Sequence, residues 1–149
     1  MRTVSDIIHS KAKAFNFIEP DARVFDALQM MNSVNLSYLV VMHQDTFHGI
    51  FSERDYSRNV ILKGLHSDSC TVQEVMSTAL PTVGLADTVE HCMNLLNTHK
   101  TRYLLVFDHK HFAGVVTIND VLREAIASKE EVFDELAVQT ATEMQDKIY

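Results

Sequence analysis

The sequence contains the same unit twice, and this duplication restricts the fold more than any other feature. Residues Val24–Arg58 align without a gap on Val89–Arg123 at a constant offset of 65, and nine of the 35 aligned pairs are identical. Upstream, Val4–Ile8 matches Val72–Met76 at an offset of 68, so the first copy carries a three-residue insertion. Self-similarity of this kind indicates a repeated structural unit.

We assign residues 1–66 to the first repeat, 67–128 to the second and 129–149 to a C-terminal helix. A unit of about 60 residues buries too little surface to be stable alone. We therefore expect the two repeats to pack through their sheets around a shared core. Such a pair has pseudo-twofold symmetry, with equivalent clefts where the copies meet.

Hydrophobic spacing predicts the same α+β unit, β-α-β-β-α, in both copies, with helices on one face of a small sheet. The first copy has strand Phe15–Ile18, a helix through Val24 and Met31, strands Tyr38–Met42 and Phe47–Phe51, and helix Asp55–Lys63. The second has strand Leu80–Val83, a helix through Val89 and Leu96, strands Tyr103–Phe107 and Phe112–Val116, and helix Asp120–Ser128.

The C-terminal stretch has one apolar stripe, formed by Phe133, Ala137, Met144 and Ile148, opposite an acidic face. This pattern predicts an amphipathic helix. The stripe either packs on its own module or forms a contact with a second copy or a partner protein, because both roles use the same design.

The composition excludes several classes of protein. The formal net charge is −7, and an acidic chain gains nothing from the counterion release that drives nucleic-acid binding. No apolar run approaches the roughly 20 residues that span a bilayer, and Met1–Ser10 lacks the apolar core of a secretory signal. We expect a cytoplasmic protein without nucleic-acid or membrane partners.

Cysteine and histidine usage points to no catalytic or metal chemistry. Cys70 and Cys92 form no C-x-x-C pair and are expected to be buried or half-buried free thiols. His109 and His111 fall in a polar turn without further ligands at metal spacing. The chain also lacks a P-loop, a dinucleotide-binding glycine motif and a nucleophile elbow. We predict neither a metal site nor an enzyme.

The strongest chemical signal follows the last strand of each repeat, in Gly49–Asp55 and Gly114–Asp120. A strand glycine permits close approach of a ligand or a neighbouring strand. A hydroxyl at the start of the next helix, together with the backbone N–H groups there, suits a phosphate, and an Asp three residues later can accept hydrogen bonds from a ribose diol. Taken singly, the same residues serve as ordinary helix caps, but their recurrence in both copies favours a binding role.

Residues Gly49–Gly64 resemble the signature of small stand-alone proteins made of two cystathionine β-synthase (CBS) domains. Thr71–Met76, Thr88–Met93 and Gly114–Val121 resemble the corresponding pieces of the second domain, and the resemblance extends from Val4 to about Ile126. It implies a tandem module, also called a Bateman module, that binds AMP, ADP, ATP or NAD between its repeats. It further implies a homodimer that senses energy or redox state and signals it to a partner protein.

The resemblance also implies roles for individual residues. Ribose binding falls on Asp55 and Asp120; phosphate binding falls on Ser52, Arg54 and Lys13 in the first site and on Thr117, Asn119 and Arg102 in the second; and base binding falls on Ala14, Phe15, Asn16, Ala79, Leu80 and Pro81. The alternative is an oligomerisation scaffold whose clefts are vestigial.

Overall fold

A computed structural model describes residues 2–11 and 15–128. The predicted C-terminal helix at 129–149, and the predicted ligand residues Lys13 and Ala14, lie outside the described residues. The elements are α1 (Val4–Ser10), β1 (Phe17–Ile18), α2 (Val24–Val34), β2 (Tyr38–His43), β3 (Thr46–Ser52), α3 (Glu53–Asp55, continued by the π-helical segment Tyr56–Ile61), α4 (Val72–Val75), β4 (Thr82–Val83), α5 (Val89–His99), β5 (Tyr103–Asp108), β6 (His111–Thr117) and α6 (118–128).

The two repeats form separate three-stranded sheets with the same pairing. β1 pairs parallel with β2 and β2 antiparallel with β3, and β4, β5 and β6 repeat this order. In the first sheet Val40 lies opposite both Phe17 and Ile50. In the second sheet Leu105, 65 residues later, has the equivalent partners. The predicted α+β class with duplicated sheets is confirmed.

Two short helices, α1 and α4, were absent from the predicted unit. Each begins with a threonine whose side chain, three residues before an acid, contacts that acid: Thr3 with Asp6, and Thr71 with Glu74. This arrangement resembles a capping box, which is a sequence signal for a helix start. The pattern was readable, but the helices are only seven and four residues long, too short for a clear hydrophobic period.

Each short helix packs against the core of the other repeat. Val4 and Ile7 of α1 lie in the core of the second repeat, with 0% and 2% exposure. Val72 and Val75 of α4 lie in the core of the first repeat. The backbone follows the same exchange, because the Val4 N–H donates to the carbonyl of Asp87 at 2.9 Å. Either core is therefore incomplete without a segment from the other half.

A third core lies between the two sheets and joins the repeats. Its buried members are Tyr38, Val40, Met42, Ile50, Leu105 and Val115. Phe47 stacks on Phe112 with ring centroids 4.5 Å apart, and Tyr38 meets Tyr103 at 4.7 Å. Both pairs join residues 65 positions apart. Equivalent residues touch each other only near a twofold axis, so the predicted face-to-face packing with pseudo-twofold symmetry is confirmed.

The cysteines are buried free thiols, as expected. Burial raises the pKa of the Cys92 thiol to about 11 and raises that of Cys70 as well, so both are protonated at neutral pH. Within residues 2–11 and 15–128, no helix is long and apolar enough to cross a membrane.

Candidate functional site

The junction between β3 and α3 holds a buried carboxylate at the base of a cleft. Ser52 and Asp55 are 6% and 5% exposed. The Ser52 N–H donates to Oδ2 of Asp55 at 2.8 Å, and the Asp55 N–H donates back to the Ser52 hydroxyl at 3.3 Å. On its other side, Oδ1 of Asp55 accepts a hydrogen bond from the Ser77 hydroxyl at 2.5 Å. The helix cap thus also holds the carboxylate in one orientation.

The first cleft, at Asp55, has a volume of about 490 Å³ and a positively charged wall. Four basic side chains line it, against two acidic ones. The basic residues are Arg54, Arg58, Lys100 and Arg102, and the acids are Glu53 and Asp55. A formal surplus of two positive charges in a chain of net charge −7 gives this cleft a local charge that favours an anion.

The second cleft, at the junction of β6 and α6, repeats the cap. The Thr117 N–H donates to Oδ2 of Asp120 at 2.9 Å, and the Asp120 N–H donates to the Thr117 hydroxyl at 3.2 Å. This cleft has a volume of about 720 Å³. Two basic groups reach the carboxylate: the Lys11 ammonium at 2.8 Å from Oδ2 and the Arg123 guanidinium at 3.6 Å from Oδ1.

The two clefts share one wall, formed by Ser37, Glu53, Arg102 and Tyr103. The Ser37 and Tyr103 hydroxyls are hydrogen-bonded at 2.7 Å. Burial raises the pKa of the Tyr103 phenol, so this group stays neutral at physiological pH. Arg102 is thus a basic side chain that lines both clefts.

Most of the predicted phosphate and ribose residues come together. Ser52, Arg54 and Asp55 line the first cleft, Thr117, Asn119 and Asp120 line the second, and Arg102 lines both. Of the predicted base residues, Leu80 lines the first cleft. The others described are Phe15, Asn16, Ala79 and Pro81, and they do not line either cleft.

Three of the predicted base residues, Phe15, Asn16 and Pro81, make contacts within or between the sheets. The Phe15 ring packs edge-on against Phe112 between the sheets at 5.1 Å. The Asn16 carbonyl accepts from the Val40 N–H, and the Pro81 carbonyl accepts from the Leu105 N–H. These contacts extend β1 and β4 by one residue in each sheet.

Several cleft residues escaped sequence reasoning, notably Lys11, Ser77 and Lys100. Ser77 and Lys11 follow the short helices α4 and α1, and their place depends on the exchange of those helices between the repeats. Lys100 ends α5 in a left-handed conformation, with φ of 50°. Arg58 and Arg123 did carry a signal, because they are identical in both copies and lie three residues after the aspartates.

Comparison with known proteins agrees with the duplicated architecture. The family model for the CBS domain matches residues 4–61 and 72–127. The CBS domain-containing protein CBSX3, mitochondrial, from Arabidopsis thaliana is 32% identical over 143 residues, which are 90% of this chain and 69% of that protein. The crystal structure of the CBS domain NE2398 has a TM-score of 0.78 and 34% identity, and covers 84% of this chain and 98% of its own.

A more distant structural neighbour is CBSX2, whose crystal structure is a complex with AMP. It has a TM-score of 0.70 and 24% identity, and the alignment covers 87% of this chain and 99% of that one. At this identity the likeness concerns the fold. The two segments matched by the family model make up more than half of the chain and coincide with its two repeats, so the chain belongs to the CBS domain family.

Proposed function

We propose that this protein is a regulatory module that binds an adenosine-containing ligand, AMP, ADP, ATP or NAD, and signals its bound state to a partner protein. The observation that carries the proposal is Asp55, a buried carboxylate held by neutral donors at the base of a positively charged cleft. A ribonucleotide presents the matching chemistry, with a diol that donates to a carboxylate and a phosphate that attracts cations.

The arrangement of the first cleft suits a nucleotide in one orientation. The ribose hydroxyls would donate to Asp55, while Arg54 and Arg102 would face the phosphate. Leu80 would provide apolar contact for the base. A volume of about 490 Å³ lies within the range usual for small-molecule sites. The AMP complex of CBSX2 supports an adenine nucleotide as the ligand class.

The role we propose is binding without catalysis. Tandem CBS proteins are typically regulatory, and the groups that line the two clefts are anion binders and helix caps. A ligand that regulates must bind one arrangement of the repeats or subunits more tightly than another, because equal affinity shifts no equilibrium. We propose the cytoplasm as the location of the protein. The Arabidopsis relative is mitochondrial by its name.

The test is the loss of the ribose contact. Replacing Asp55 by alanine is expected to weaken AMP binding in the first cleft about 10- to 100-fold, because hydrogen bonds to a charged group contribute about 1.5–3 kcal/mol. The wild type should also prefer AMP over 2′,3′-dideoxy-AMP, and Asp55→Ala should lose that preference. Titration calorimetry measures both, after a thermal-shift screen with AMP, ADP, ATP, NAD, NADH, S-adenosylmethionine and GTP.

Asp6→Ala is the matched control, because Asp6 caps α1 as Asp55 caps α3 but lines neither cleft. It should lower stability without changing AMP affinity in the first cleft. Equal affinity of the wild type for AMP and its dideoxy analogue would contradict the role of Asp55. If no adenosine ligand raises the melting temperature, the scaffold with vestigial clefts becomes the better account.

We also propose that the protein forms a homodimer, with the exposed side chains of Ile61 and Ile126 as candidate contacts. Ile61 and Ile126 are equivalent at the offset of 65 and are 54% and 60% exposed. In a twofold dimer the same patch of both copies forms the interface, so each of these positions would be covered in both subunits. Light scattering should give twice the monomer mass of 16.9 kDa. Ile61→Asp should lower the measured mass toward that of the monomer. Val34→Asp, on α2, should leave the mass unchanged. A monomeric wild type would overturn this proposal.

A further inference from the structure

Asp55 and Asp120, the two carboxylates assigned to the ribose, occupy equivalent positions in the repeats. Each is held by its own helix cap, but the additional side chain that contacts it differs between the clefts. In the first cleft the Ser77 hydroxyl donates to Asp55. In the second cleft the Lys11 ammonium binds Asp120, with 2.8 Å between Nζ and Oδ2. Although the two sites are duplicated, one carboxylate thus has a neutral hydrogen-bond donor and the other has a cation.

Lys11 also replaces a backbone contact of the first repeat. The Ser77 N–H donates to the Ile50 carbonyl at 2.9 Å, beside Asp55. Val115 is the equivalent of Ile50, and its carbonyl accepts from the Lys11 ammonium at 2.8 Å. One ammonium group thus takes the place of both an N–H and a hydroxyl. The Lys11 side chain is only 15% exposed, so it is built into the cleft floor.

This difference changes how each carboxylate can receive a ribose. Among the residues that the structure describes, no basic side chain lies within salt-bridge distance of Asp55. Asp120, in contrast, is neutralised by Lys11 and approached by Arg123. A carboxylate that already has a buried ionic partner gains less from a hydroxyl donor, and separating such a pair leaves a charge without compensation.

We propose that Lys11 determines the order in which the two clefts fill. The ribonucleotide enters the first cleft at low concentration, and it enters the second only at higher concentration, by displacing Lys11 from Asp120. Lys11 is therefore a specificity-determining residue that makes the duplicated clefts unequal. This inference rests on the proposed binding of an adenosine ligand.

The test measures the second cleft in an Asp55→Ala background, in which we expect the first cleft to bind AMP about 10- to 100-fold more weakly. In that background we expect Lys11→Met to tighten AMP binding at the second cleft about tenfold, because methionine retains most of the side chain's length and removes its charge. Lys11→Arg, which keeps the charge, should leave the affinity close to that of the parent. Titration calorimetry gives both the affinity and the number of sites. Circular dichroism checks that each variant is folded.

Lys110→Met is the matched control, because Lys110 lies in the exposed turn between β5 and β6 and lines neither cleft. It should leave AMP binding unchanged. Equal or weaker AMP affinity of the folded Lys11→Met variant overturns this inference alone, provided the wild type binds AMP. Absence of AMP binding by the wild type overturns the proposed function as well.

Discussion

Replacing Ile7 by alanine is expected to destabilise the second repeat, although Ile7 belongs to the first repeat by sequence. The side chain is 2% exposed and packs in the core that contains Leu104 and Val116. Truncating a buried isoleucine to alanine costs about 2–5 kcal/mol, through lost apolar burial and the cavity left behind. Urea denaturation measures the loss in the free energy of unfolding. Hydrogen exchange should show faster opening of β5 and β6.

Two variants make this result specific. Val75 is the equivalent of Ile7 in α4, so Val75→Ala should speed exchange in β2 and β3 instead. Gln29, exposed on α2, serves as the surface control, and Gln29→Ala should change the free energy of unfolding by less than about 0.5 kcal/mol. If Ile7→Ala has no larger effect than Gln29→Ala, α1 does not complete the second core.

Replacing Gly49 by alanine is expected to displace the 76–77 segment, which carries the Ser77 hydroxyl of the first cleft. A Cβ at this position would lie 2.7 Å from the Ser77 carbonyl oxygen and 2.9 Å from the Met76 sulfur. The backbone around Ser77 would have to move, and overpacking of this kind costs about 1–3 kcal/mol. The shift would draw the Ser77 hydroxyl away from Asp55. We therefore expect lower stability together with weaker AMP binding.

Gly84→Ala is the control for the loss of a glycine. Its nearest neighbour would be a carboxylate oxygen of Asp87 at 3.8 Å, an ordinary contact, and its φ lies outside the left-handed region. This variant should be neutral or slightly more stable, since alanine restricts the unfolded chain. A Gly49→Ala protein with the stability and AMP affinity of the wild type would contradict the close approach of the 76–77 segment to β3.

The sequence alone was sufficient to predict the duplicated unit and the helix caps that follow β3 and β6. An ungapped match over 35 pairs predicted two equal sheets, and the alternation of turn signals and short apolar runs predicted their strands within about two residues. Asp55 and Asp120 were identified because a capping acid three residues after a hydroxyl is a local pattern. Such a local pattern can be recognised in the sequence because the two interacting residues are close together in the chain.

The tertiary structure decided what the clefts contain. Lys11 reaches Asp120 across 109 positions of the chain, and Ser77 reaches Asp55 only because α4 packs on the opposite half of the sequence. Arg102 faces both clefts because they meet at the pseudo-twofold axis. The repeat determined by the sequence is symmetric, whereas the contacts that distinguish its two sites depend on long-range packing. A duplicated pattern cannot specify them, because it describes both copies in the same way.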